Sequence, residues 1–189
     1  MKYENQSVTY QIDGVYNRVL ISLSPIVIVG VTLLLLGSDV YNPAFQMLIA
    51  FYGFVGIGWL AAPGIGLAAG IHPIWVIVFL VFISSQSSLI ISSGYPFIEK
   101  IPLLGKYAKK IRKKAENLIE KKEYVRNVEY LGIFWLRFLP IYGTGPNVMT
   151  LVGMMLGLNW KKVWLTITLS ALTRFSMVTL LLYYGYINI

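Results

Sequence analysis

The chain has no cysteine and only one histidine, His72. Disulfides, thiol catalysis, thiolate metal sites and any histidine cluster are therefore excluded. Charge is also missing over long stretches. No Asp, Glu, Lys or Arg occurs from Val40 to Ile98, and no acid lies between Tyr130 and the C-terminus. So long an uncharged run cannot be hidden in a soluble core, and lipid must be its solvent. The composition agrees: of 189 residues 57% are hydrophobic, and the mean hydropathy is +0.67. Absent too is any grouping of nucleophile, base and orienting acid, any pair of carboxylates, or a phosphate-cradling loop of the Walker type. The expectation is an integral membrane protein that is not an enzyme, with no cofactor and no metal site.

What charge there is sits in one place. The net charge is +8, and the segment Glu99–Glu129 holds ten of the sixteen Lys and Arg residues against five of the eight acids. Local basicity of this kind marks a cytoplasmic segment facing anionic headgroups; a nucleic-acid partner is not expected. Residues 1–18 are polar and mixed in charge, unlike a secretory signal, and the Asn5-Gln6-Ser7 sequon is expected to lie inside and unused. Residues 19–37 read as a transmembrane helix closed by Asp39, Asn42 and Pro43. Residues 44–71 are apolar but crowded with glycine and carry Pro63 and Gly64, so they read as a re-entrant hairpin broken near its middle. A second transmembrane helix covers residues 74–98, with a polar patch Ser84-Ser85-Gln86-Ser87-Ser88 at a depth where such groups serve packing or a pathway. Over 99–129, Leu104, Ala108, Ile111, Ala115, Leu118 and Val125 recur every three or four residues, the pattern of an amphipathic helix.

The second half is organised around 131–158. There Pro140, Gly143, Gly145 and Pro146 must stop a helix, and freed backbone at membrane depth is tolerated only inside protein or along a watery cavity. Tyr142, Thr144 and Asn147 can bond a headgroup there or cap the helix ends. Residues 163–187 form the last span. If both broken segments crossed fully, Lys161 and Lys162 would lie outside, against the positive-inside rule; if both dip and return, every basic cluster lies inside. The two halves, each a hairpin followed by a span, then become inverted copies. The fold class expected is an all-α integral membrane protein: an inverted repeat of re-entrant hairpins and transmembrane helices, with an N-terminal transmembrane helix and a basic linker helix.

Two arginines stand out. Arg137 precedes the break by three residues and either serves it or snorkels to the inner interface. Arg174 lies well inside the last span with no acid to pair with, and suits either an anion or the carbonyls of the broken helix. Beside it Thr166, Ser170 and Thr173 make a small polar face suited to helix packing. His72, before Pro73, reads as an interfacial loop residue.

The run Pro140-Ile-Tyr-Gly-Thr-Gly145, with its arm ending Gly153-Met-Met-Leu-Gly157-Leu158, resembles the signature of the small multidrug export family, itself related to the DedA/VTT membrane proteins. Arg137-x-x-Pro140 is similar to the arginine-proline motif of the DedA group, and Ala61–Gly70, with Pro63 and Gly64, matches the first apolar proline motif more loosely. Where family members commonly carry Glu and Arg before that proline, this chain has Ile57 and Trp59, so carboxylate-driven coupling does not carry over. The resemblance implies a broken-helix inverted repeat that moves lipids, polyprenyl phosphate or phospholipid, across the bilayer. The residues expected to meet the lipid are Arg137, Pro140, Tyr142, Gly143, Thr144, Gly145, Asn147 and Arg174, with Gln86, Pro63 and Gly64 from the first half. Two competing readings are an ion-coupled exporter of small cationic drugs, which usually relies on a membrane-embedded acid, and a non-transporting scaffold binding through its basic helix. Anionic membrane lipids are the expected partners; assembly into a homo-oligomer stays open.

Overall fold

The computed structural model describes residues 20, 22–35, 37–53, 57–98, 123–139 and 144–187. Those residues form seven helices and no strand: α1 (Ser22–Leu35), α2 (Ser38–Gly53), α3 (Gly58–Ala68), α4 (Pro73–Ile98), α5 (Glu123–Phe138), α6 (Pro146–Met155) and α7 (Trp160–Ile187). Two of them, over Pro73–Pro96 and Trp160–Gly185, are long and apolar enough to cross a membrane. The 11 residues of α3 and the 10 of α6 are not: at about 1.5 Å per residue they cover roughly half of a 30 Å hydrocarbon core.

α4 and α7 pack on each other and form the centre. They run antiparallel, because Ser85 of α4 meets Trp164 and Thr168 early in α7, whereas Val76 and Leu80 share a buried cluster with Ala171 and Phe175 further along it. Each short helix lies against both: α3 packs on α7 as well as α4, and α6 on α4 as well as α7.

The two halves repeat one construction. After α3, the N–H groups of Ala69, Gly70 and Ile71 donate to the carbonyls of Ile65, Leu67 and Gly66; after α6, those of Leu156, Gly157 and Leu158 donate to Val152, Met154 and Gly153. Both turns need a left-handed residue, and glycine supplies it, with φ +79° at Gly70 and +75° at Gly157. The displacement, 87 residues (157 − 70), also carries Gly66 to Gly153, Val76 to Val163 and Leu80 to Ile167. Gly66 and Gly153 do the same work: a Cβ on either would sit 2.9 Å from a methyl group of its own valine, Val76 or Val163. Missing side chains here let helices approach closely, which replaces hydrophobic driving force in lipid.

Each hairpin also brings the chain back beside its own beginning. The Asn159 N–H donates to the Tyr130 hydroxyl at 3.1 Å, and Lys162 Nζ lies 5.9 Å from the Tyr130 ring centre. In the first half Asp39 and Ala44 line the same groove as Gly70 and His72.

Several boundaries differ from those expected. Asn42 and Pro43 do not close the first helix but lie inside α2, because the Gly37 carbonyl already accepts the N–H groups of Val40 and Tyr41 and starts the new helix at Ser38. Pro63 and Gly64 lie within α3, which runs through them; α2 ends at Gly53 and α3 starts at Gly58, so the interruption comes earlier. Helix α5 joins the end of the basic segment to the first arm of the second hairpin without a pause, since only Gly132 weakens it there. The rest of the amphipathic segment (101–122), the N-terminal residues 1–18, and Pro140, Tyr142 and Gly143 lie outside the described residues.

Candidate functional site

Arg137 ends α5 and Arg174 stands halfway along α7; both are buried, at 2% and 6% exposure. Helical side chains lean towards the N-terminus of their own helix, so Arg174 reaches back along α7 to the end of α5. Its Nη1 donates to the Arg137 carbonyl at 2.9 Å, and Arg137 Nε donates to the Ile167 carbonyl at 3.4 Å. The two guanidiniums are close enough to repel. No carboxylate from Val40 to Ile98 or beyond Tyr130 offsets them.

Carbonyls satisfy little of this pair. A guanidinium carries five N–H donors, and the described residues supply each arginine with one acceptor; Arg174 Nε is buried and has none among them. A charge at membrane depth costs about 2.5 kcal/mol or more, and two like charges cost more still. The arrangement concentrates positive charge with few acceptors among the described residues.

The surroundings are positive as well. Helix α3 begins after Ile57, one residue before the Trp59 that meets Arg174, and α6 begins after Gly145; neither N-cap residue supplies a side-chain bond. The first-turn amides and positive dipole end of α3 thus add to the cation at Arg174. At the α3 end the Trp59 ring covers one face of Arg174, its centre 4.7 Å from the guanidinium carbon. At the end of α2 the Tyr52 hydroxyl bonds Ser87 of α4 and lies within electrostatic reach of Arg137. Ser87 is the residue that the 87-residue displacement carries to Arg174. The same position on each span thus holds the end of its own half's first arm, through a neutral pair in one half and through arginines in the other.

Polar residues of α4 bind the rest together. Ser85 accepts from Trp164 Nε1 at 2.8 Å and lies 3.2 Å from the Thr168 hydroxyl, while Ser88 lies 2.8 Å from the hydroxyl of Thr150 on α6. Such bonds between helices contribute about 0.6 kcal/mol each in a membrane. Gln86 is buried, with an Oε1 that has no partner among the described residues.

Of the residues singled out in the sequence, Arg137 and Arg174 come together, and Thr144, buried before α6, lies at the same broken end. Gly145 and Asn147 are exposed at the start of α6 and do not cap it by a side chain. Thr166 and Thr173 donate to carbonyls of their own helix, those of Lys162 and Leu169. Pro63 and Gly64 lie a turn or more beyond Trp59 inside α3. Tyr52 and Trp59 were not expected as site residues, because the first break was expected at Pro63 and Gly64 and these two flank an interruption that comes earlier.

A separate groove of about 700 Å³, largely apolar, lies between α1, α2 and α4, away from the arginines; Val29, Leu33, Met47 and Phe79 line it, and Asp39 and His72 stand beside it. Among protein families, one described as "Putative small multi-drug export protein" matches residues 60–176, more than half of the chain. No curated protein matches, and no solved structure does.

Proposed function

The chain belongs to the small multi-drug export protein family, and on that premise we propose a transporter without enzymatic activity that lets an anionic amphiphile cross the bilayer. Its charged group, a phosphate such as that of a phospholipid or polyprenyl phosphate, is held between Arg137 and Arg174 while its apolar chain stays in lipid. One observation carries this reading: two buried arginines, joined through Arg174 Nη1 and the Arg137 carbonyl, with no carboxylate in the apolar segments. Two forks of planar donors match phosphate oxygens, and the N-terminus of α3 beside Trp59 extends the same preference.

The proposal includes a topology. Both hairpins dip into the bilayer and return, the basic segment faces the cytoplasm, and the halves are inverted. Short α3 and α6, antiparallel α4 and α7, and the contact of Tyr130 with Asn159 and Lys162 support it. The test is substrate range. Vesicles containing the purified protein should equilibrate a fluorescent anionic lipid across the bilayer faster than a zwitterionic or cationic one. Equal rates for all three would remove the arginines from selection.

A second reading, export of small cationic drugs, is supported by the family's description and by the apolar groove beside Asp39. It requires that Asp39→Asn abolish dye efflux.

A further inference from the structure

Exposed Phe45, Ile49 and Tyr52 recur on one face of α2 and make a stripe that meets lipid. Tyr52 ends that stripe in an unusual position: the residue is 46% exposed, yet its hydroxyl turns inward to Ser87 beside the arginines. Seven residues on, Trp59 lies half-buried between the exposed side chains of Ile57 and Leu60, with its ring on Arg174. Both aromatics thus join the lipid-facing surface to the cation pair, one on each side of the interruption between α2 and α3.

We infer that Tyr52 and Trp59 form an aromatic clamp, a lateral opening through which the anion site takes a phosphate still attached to its apolar chain and excludes free phosphate. The inference rests on the reading that Arg137 and Arg174 bind a transported anion. The Trp59 ring centre lies 4.7 Å from the Arg174 guanidinium carbon, and the buried Nε, which has no partner among the described residues, is a donor left for a phosphate oxygen. Tyr52 offers a hydroxyl that can turn from Ser87 to a headgroup oxygen while its ring lies along the chain. A dissolved ion gains nothing from either ring, and arriving from water it would not meet this lipid-facing opening.

The experiment uses the full chain in phosphatidylcholine vesicles, with fluorescent phosphatidylglycerol in the membrane and inorganic phosphate trapped inside. Wild type should move the lipid and retain the phosphate. Trp59→Leu should slow lipid movement about three- to tenfold, the loss of one cation–π contact, and Trp59→Phe should restore most of it because a ring remains. Tyr52→Phe should slow it by less, with a melting temperature near wild type. Equal lipid rates in wild type, Trp59→Leu and Tyr52→Phe would overturn the clamp, as would release of phosphate as fast as the lipid moves. Should wild type move neither, the transport reading fails on its own; binding of phosphatidylglycerol seen by native mass spectrometry, lost in Trp59→Leu and kept in Trp59→Phe, would still support the clamp.

Discussion

Helix α3 contains three glycines whose replacement by alanine should have three different outcomes. At Gly58 a Cβ would lie 2.6 Å from the Ala50 carbonyl oxygen and 2.7 Å from that of Phe51, both backbone atoms of α2 that cannot step aside. At Gly66 it would lie 2.8 Å from Met47 Sδ and 2.9 Å from Val76 Cγ2; the thioether can swing away, but the β-branched valine is stiff. At Gly64 nothing lies within 4 Å. Alanine gains about 1 kcal/mol over glycine inside a helix, and overpacking costs about 1 to 3 kcal/mol. Gly64→Ala should therefore raise stability by roughly 0.5 to 1 kcal/mol. Gly66→Ala should fall between no change and a loss of about 2 kcal/mol, and Gly58→Ala should lose the most, about 3 kcal/mol or a failure to pack. Thermal unfolding of the three variants in detergent, followed by tryptophan fluorescence, reads the order directly. A destabilised Gly64→Ala, or a Gly58→Ala that melts with wild type, would refute the close approach of α2 and α3.

Further expectations follow from the same geometry. Single cysteines in place of Lys110 and Lys161 should be labelled from the same side of the membrane, and the chain's lack of native cysteine makes that assay clean; opposite accessibility would rule out the dipping second hairpin. Gly70→Ala and Gly157→Ala should each lower stability by about 1 kcal/mol because both positions are left-handed, and thermal melts should show two similar losses. Tyr130→Phe removes the acceptor for the Asn159 N–H and should loosen that contact, seen as faster amide exchange at Asn159 with the melting temperature within a few degrees of wild type.

The two central spans were legible because α4 and α7 are long, mostly apolar runs, the strongest signal a sequence offers. The second interruption was legible too, since Pro140, Gly143, Gly145 and Pro146 leave no other outcome. The first was not marked by its proline. Pro63 lies six residues into α3, where losing one N–H shortens no helix that neighbours hold in place; α2 ends instead at Gly53 and α3 starts at Gly58, whose side-chainless backbone lies against the Ala50 and Phe51 carbonyls of α2. Arg137 and Arg174 could each be picked out as charges in apolar surroundings, but their contact spans 37 residues and follows from how α5 meets α7. Tyr52 drew no notice in the sequence, and Trp59 only as a departure from the family's charged position, until the fold brings Trp59 onto Arg174 and Tyr52 to Ser87. Of the 87-residue displacement the sequence shows little beyond Gly70-Ile71 against Gly157-Leu158, because few side chains repeat; what repeats is where glycine is required.

The central claim is that Arg174 binds the charge of a moving lipid and does not merely tie α7 to α5. Arg174→Gln should slow movement of a fluorescent anionic lipid at least tenfold in reconstituted vesicles while the melting temperature stays close to wild type, because removing a buried like charge offsets the lost bond to the Arg137 carbonyl, itself worth about 1 to 3 kcal/mol. Arg174→Lys should be partly active, since an ammonium lacks the planar fork. A stable Arg174→Gln protein that moves the lipid at the wild-type rate would contradict the claim.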